Sequence, residues 1–157
     1  MTETPRKQLD AIDLLMQDHR ELESMFRHFE YLHARDEDAA EVVEAACAEI
    51  RTHDAVKSEL FCPAVSEAID EPDMEDLLAQ IEEGHQAIRK LVSSVEQAAR
   101  DDAKRNAQFS LLTERVEQQF ELAETRVFPR ARRAERLDLA AVTDRMKARR
   151  SEMARHL

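Results

Sequence analysis

The chain has 157 residues, one glycine, four prolines, 36% charged side chains and a net charge of −11 at pH 7. That length supports one domain with its own core, and the composition fits long helices joined by short loops while fitting sheet poorly. No run of about 18 apolar residues exists and the opening Met-Thr-Glu-Thr-Pro-Arg-Lys lacks a hydrophobic signal region, so neither a membrane span nor a secretory leader is expected and a cytoplasmic protein is.

The predicted elements are all helices. The first runs roughly from Leu9 to Ala34, with the seam Ile12, Leu15, His19, Leu22, Phe26, Phe29. The second begins in Asp36-Glu37-Asp38, carries Val43, Ala46, Ile50, His53, Lys57, Leu60, and is expected to stop at Cys62-Pro63 because proline disfavours helix in the residue before it. Its two thiols, Cys47 and Cys62, lie about 22 Å apart along that helix and are expected to stay reduced. The third starts at Pro72 with Asp73, Glu75 and Asp76 in its first turns and carries Leu78, Ile81, His85, Ile88, Val92, Val95. The fourth follows Asp101-Asp102, carries Phe109, Leu112, Val116, Gln119, Ala123, and is expected to end near Phe128-Pro129. A fifth, shorter amphipathic segment follows, with Leu137, Leu139, Ala140, Val142 and Met146 apolar and Arg145, Lys147, Arg149 and Arg150 exposed.

Spacing of three and four residues is how a helix presents one stripe to a bundle. The expected fold is therefore all-α, an up-down-up-down four-helix bundle over about residues 9–129 with a short fifth helix at about 136–155, in a single domain. Charge is unevenly placed: residues 1–125 hold 13 basic and 30 acidic side chains, and residues 126–157 hold 10 and 4. An acidic body repels phosphate and Phe128 is the one aromatic interleaved with Arg126, Arg130, Arg132, Arg133 and Arg136, so the basic tail is expected to pair within the molecule rather than with nucleic acid.

Each of the four long seams is broken by a polar residue near its middle. His19 lies about nine residues into its helix, His53 about ten before Pro63, His85 about thirteen after Pro72 and Gln119 about ten before Pro129, which in an alternating bundle are distances from one end. The polar residues therefore share one layer, and burying them is costly unless something binds them. A lone histidine on a seam is usually a satisfied core residue, but three at one height are harder to dismiss. His28, His33 and His156 are expected in solvent, Tyr31 in packing, and the methionines in packing or at the surface.

Four fragments in order, Asp18-His19-Arg20-Glu21-Leu22, His53 before Pro63, Glu83-Gly84-His85 with Ile88-Arg89, and Glu124 with Val127-Phe128-Pro129, resemble the hemerythrin-like (HHE cation-binding) domains of bacteria. The resemblance runs from about Leu9 to the C-terminus. It implies a non-haem di-iron centre and chemistry on dioxygen, peroxide or nitric oxide, with ligands from a His, a His-x-x-x-Glu, a His and a second His-x-x-x-Glu. Carried onto this chain, those positions read His19, His53, Lys57, His85, Gln119 and Ala123. Three histidines are present, while both bridging carboxylates and the fourth histidine are replaced. A cation at Lys57 would cost several kcal/mol at about 4 Å from a metal ion even at an effective dielectric near 20, so a conventional di-iron centre is not expected.

Three readings stay open. In one, His19 and His53, with Asp54 or His85, hold a single zinc or iron ion, and a small diatomic or peroxide ligand follows only if that ion is iron. In another, no metal binds and Lys57 with Gln119 and the histidines forms a buried polar network in a structural, interaction or sensor protein. In the third, Lys57 is an amine with a lowered pKa, acting as base or nucleophile. If charged, Lys57 is expected to pair with Glu124, Glu121 or Asp54. The oligomeric state is not expressed in any seam.

Overall fold

The structure, a computed structural model, describes residues 8–155; His156 lies outside the described residues. Helix α1 (Ala11–Ala34) opens on a reciprocal cap, in which Asp10 Oδ1 accepts from the Asp13 N–H at 2.9 Å and Asp13 Oδ2 accepts from the Asp10 N–H at 3.1 Å. It ends where Asp36 takes a left-handed φ of 52°, a conformation aspartate tolerates. Helix α2 (Ala40–Val56) starts later than the acidic cluster, because Asp38 Oδ1 accepts from the Ala40 N–H. Pro72 opens α4 (Pro72–Gln97), Asp102 caps α5 (Ala103–Leu122) through the Lys104 N–H, and Asp138 caps α7 (Leu139–Ala154) through the Ala141 N–H.

Neither proline stops its helix. Between α2 and α3 (Cys62–Ala68) lies a π turn, Lys57–Phe61, in which the Cys62 N–H donates to the Lys57 carbonyl five residues back. A second π turn, Ala123–Val127, joins α5 to α6 (Phe128–Arg133), with the Phe128 N–H donating to the Ala123 carbonyl. The widened turn displaces the carbonyls that a proline ring would otherwise strike, and Pro63 and Pro129 then sit in the first turn of a renewed α-helix, where no N–H is needed. The second and fourth rods thus run on to Ala68 and Arg133. The extra residue also shifts the seam: Phe61 is buried and Leu60 only half-buried, so the inward positions read His53, Lys57, Phe61, Val65.

The bundle packs α1 against α2 and α5, α4 against α2 and α5, and lays α7 over α1 and α2. Arginines of the basic segment reach back to the acidic body: Arg130 binds Asp73 and Glu71, Arg132 binds Asp10 and Asp13, Arg149 binds Glu59, and Arg150 binds Asp18. Arg149 and Arg150 are accordingly half-buried rather than exposed, while Ala140 is exposed. Tyr31 is 54% exposed, with the Arg35 guanidinium 3.6 Å above its ring, instead of packing inward. His28 and His33 are exposed. Among the described residues no helix is long and apolar enough to cross a membrane.

The core is not continuous. One apolar cluster holds Ile12, Leu15, Phe61, Val65, Met74, Ile81, Val127 and Phe128 and is completed by Val142 and Met146 of α7. The other holds Leu22, Phe26, Phe29, Val43, Ile50, Val92, Phe109 and Val116. Between them, along every seam, lie the polar residues.

Candidate functional site

Three histidines and a lysine are taken out of water at this level: His19 is 1% exposed, His53 7%, Lys57 2% and His85 4%. His53, Asp54, Lys57, His85 and Gln119 line one cavity of about 20 Å³, walled by Leu22, Ile50, Ile88, Val116 and Phe120. That volume has room for about one water molecule. His19 stands beside it, its ring stacked on Phe120 at 3.8 Å between centroids and edge-on to His53 at 5.0 Å.

The His53 ring is oriented from outside the layer. Its Nδ1–H donates to Asp18 Oδ2 at 2.9 Å, and the same oxygen also accepts from the Arg150 guanidinium of α7. A carboxylate only accepts, so Nδ1 carries the hydrogen and Nε2 is left as the acceptor lone pair, with no partner of its own. Burial raises the Asp18 pKa and Arg150 opposes it. On the other side of the bundle, Arg89 donates to both oxygens of Asp54, at 2.7 and 3.3 Å, to Glu82 at 3.0 Å and to the Ser58 hydroxyl at 2.8 Å. His85 Nδ1 lies 3.4 Å from Glu82 and 3.8 Å from Asp54.

Burial pushes all three imidazoles toward the neutral form. His19 is driven down to about 2 by desolvation with help from His53 and Lys57, His85 to about 4 by desolvation and Lys57, and His53 well below its usual value by the same causes. The 3.5 Å approach of His19 Nδ1 to Glu124 is therefore not an ion pair at neutral pH.

Lys57 corrects the expectation that its amine would be paired. No acceptor lies within hydrogen-bond distance of its Nζ and no carboxylate within ion-pair distance among the described residues. Burial lowers its pKa, and the more distant Cys62, Asp54 and Glu124 only partly counter that. Replacing it by methionine, of similar length and without an amine to desolvate, is expected to raise the unfolding free energy at neutral pH by about 1–3 kcal/mol. A lowered urea midpoint in Lys57→Met would show that the amine is held by partners this geometry lacks.

Gln119 is placed by an absence. Its side chain crosses the chain's one glycine, and a Cβ at Gly84 would lie 1.8 Å from Gln119 Nε2. Glycine inside a helix costs about 1 kcal/mol relative to alanine, which is the sequence signal that something lies against it. Asp18 and Arg150 were legible only as an acid next to His19 and a base in the fifth helix; what joins them to His53 is the packing of α7 across α1 and α2. Ala123 is fully buried, opens the second π turn and brings no donor.

A di-iron centre does not fit these residues. The positions that would bridge two ions hold an amine and a methyl group, and among the described residues no three His, Cys, Asp or Glu side chains converge to hold a metal. No curated protein and no solved structure matches the chain. The model of the hemerythrin HHE cation binding domain matches residues 10–131. With the bundle and its polar layer, that match over most of the chain places this protein in the hemerythrin HHE cation-binding domain family.

Proposed function

We propose that this is a hemerythrin-like domain that works without a metal, as a structural, interaction or sensor protein in which a polar layer built on Lys57 and Gln119 takes the place of the ions. The observation that carries the reading is the unpaired Lys57 amine, 2% exposed and facing the same cavity as His53 and His85. A lysine there is incompatible with a neighbouring divalent ion unless it gives up its proton, and it fills volume that the ions would need.

The donors for a single zinc or iron ion are also poorly disposed. Arg89 engages both oxygens of Asp54, Asp18 engages His53 Nδ1, and His85 Nδ1 faces Glu82 and Asp54, while His53 Nε2 and both His19 nitrogens are without a partner. Among the described residues no three His, Cys, Asp or Glu side chains are grouped to supply the three or four ligands such ions take.

The test is elemental analysis of the purified chain with a visible spectrum of the same sample. Well under one zinc or iron per chain and no oxo-bridged di-iron absorption are expected. One equivalent that survives chelation and disappears in His19→Ala and His53→Ala, but not in His28→Ala, would overturn the metal-free reading in favour of a mononuclear site. Two irons with the di-iron spectrum would overturn it altogether.

A further inference from the structure

We infer that α7 is an exchangeable strap: the groove it fills between α1 and α2 also takes α7 of a second copy of this chain, giving a swapped dimer. The inference stands on the packing of α7 and of the link before it, whatever the polar layer holds.

What α7 offers the bundle is small and repeats at helical spacing. Of its 16 residues only Val142, Thr143 and Met146 are buried, and Val142 and Met146 complete one of the two apolar clusters. One turn further on, Arg149 donates to both oxygens of Glu59, at 2.9 and 3.3 Å, and Arg150 donates to Asp18. An apolar pair four residues apart, followed one turn later by arginines, is the pattern of an amphipathic helix laid in a groove. The groove answers it in charge, with Asp18 on α1, Glu49 on α2 and Glu59 in the first π turn, and Glu49 feels both Asp18 and Arg150. Two copies of net charge −11 repel each other, so the surface of a second copy that this groove accepts is its basic helix.

The link decides whether α7 can leave. Residues 134–138 read Ala-Glu-Arg-Leu-Asp, without glycine or proline, and none has a positive φ. The bend rests on non-helical backbone at Ala134 (ψ 109°) and Asp138 (ψ 87°), on a turn in which the Leu137 N–H donates to the Ala134 carbonyl at 3.2 Å, and on the Asp138 cap. Ala, Glu, Arg and Leu are strong helix formers, so these residues can also run as helix and join α6 and α7 into one rod from Phe128 to Ala154. In that rod α7 stands clear of its own groove and docks on another copy. Every contact of α7 is remade there. The balance lies between the bend with its cap, favoured by tethering at low concentration, and the backbone hydrogen bonds that a straight link adds. In the dimer Arg150 of one copy reaches Asp18 of the other, and through it His53, so each polar layer is oriented by two chains.

The experiment uses the full chain. Refolded at high concentration, it is expected to give a species of twice the monomer mass by light scattering after size exclusion, returning slowly to monomer on dilution. Glu135→Pro tests the link. Proline there follows the extended Ala134, takes the second position of the Ala134–Leu137 turn and removes an N–H that makes no hydrogen bond among the described residues, so the bend is kept while a continuous helix is barred. The variant should lose the dimer and keep a monomer with an unchanged or higher urea midpoint. Exchange itself is read with Arg149→Lys, which keeps the charge beside Glu59. Ordinary and 15N-labelled chains of that variant are refolded together, and a carbodiimide joins Glu59 to the new amine at position 149. Joined peptide pairs with one labelled and one unlabelled member are expected from the dimer and none from the monomer. A chain that stays monomeric after concentrated refolding, a dimer that persists in folded Glu135→Pro, or a dimer whose joined pairs are all of one isotope would each overturn the inference. Metal content moves none of these readouts, so the metal-free reading stands or falls separately.

Discussion

Between about pH 7 and about pH 5 the protein is expected to lose about 4 kcal/mol of stability, a large part of what a domain of this size has. The cause is proton linkage at His19, His53 and His85. Each has an ordinary value of 6.5 in the unfolded chain and a folded value pushed down by burial, to about 2 for His19, to about 4 for His85 and well below ordinary for His53. Their neutral forms stabilise the fold fully above 6.5. As the pH falls through that value the unfolded chain takes up protons that the folded chain refuses, and each histidine then costs about 1.4 kcal/mol per pH unit until its own folded value is reached. Asp18, Asp54 and Glu124 act the other way, since burial raises their folded values and the folded state binds protons there more readily than the unfolded one; they offset part of the loss at the acid end.

The measurement is the urea unfolding midpoint as a function of pH, with the slope read as protons taken up on unfolding. His19→Leu is the informative variant, because His19 makes no hydrogen bond and sits between aromatic rings, so leucine removes no partner. It should cut the proton uptake by about one and hold its stability better in acid. A midpoint that is flat from about pH 7 to about pH 5, or a His19→Leu slope equal to that of the parent chain, would mean that the imidazoles are already charged or already solvated.

The same layer shows what a sequence can and cannot express. Seams one and three, uninterrupted α-helices from Ala11 and Pro72, could be read residue by residue: Ile12 through Phe29 and Leu78 through Val95 are buried as their spacing requires. In the second rod the pattern fails at one place, where a π turn inserts a residue and passes the inward position from Leu60 to Phe61. Proline was informative there, but through a different device from the one expected, since a widened turn accommodates the ring that a regular helix would reject. The shared height of His19, His53, His85 and Gln119 followed from counting residues, because the helix rise is constant. Pairing did not follow. Whether Lys57 meets Glu124 or Asp54 depends on side-chain direction across three helices, and Arg89 takes Asp54 first. The link from Arg150 through Asp18 to His53 spans residues 132 and 35 positions apart in the chain, distances at which local spacing carries no information.

Restoring the missing donors is expected to turn a chain for which well under one metal ion is expected into one that takes up about two irons, which is the largest functional change that three substitutions are expected to make here. Lys57→Glu, Gln119→His and Ala123→Glu together give two His-x-x-x-Glu pairs, and in each the carboxylate falls at the first residue of a π turn, one helical turn beyond its histidine. Exchanging lysine for the shorter glutamate at position 57 also releases volume that the larger side chain at 123 requires, since Ala123 is fully buried and the layer has little room to spare. Without metal the triple variant carries two buried carboxylates and should unfold at lower urea than the parent, because such charges are costly when unpaired. Ferrous iron offered anaerobically should reverse that loss by binding only the folded state, and oxidation should then develop an oxo-bridged absorption that is not expected of the parent. Lys57→Glu alone should be insufficient, because Gln119 is a weak ligand for iron and Ala123 is none. A triple variant that folds, shows the expected loss of stability and gains neither iron nor stability when ferrous iron is supplied would refute the assignment of positions 57, 119 and 123 to the vanished centre.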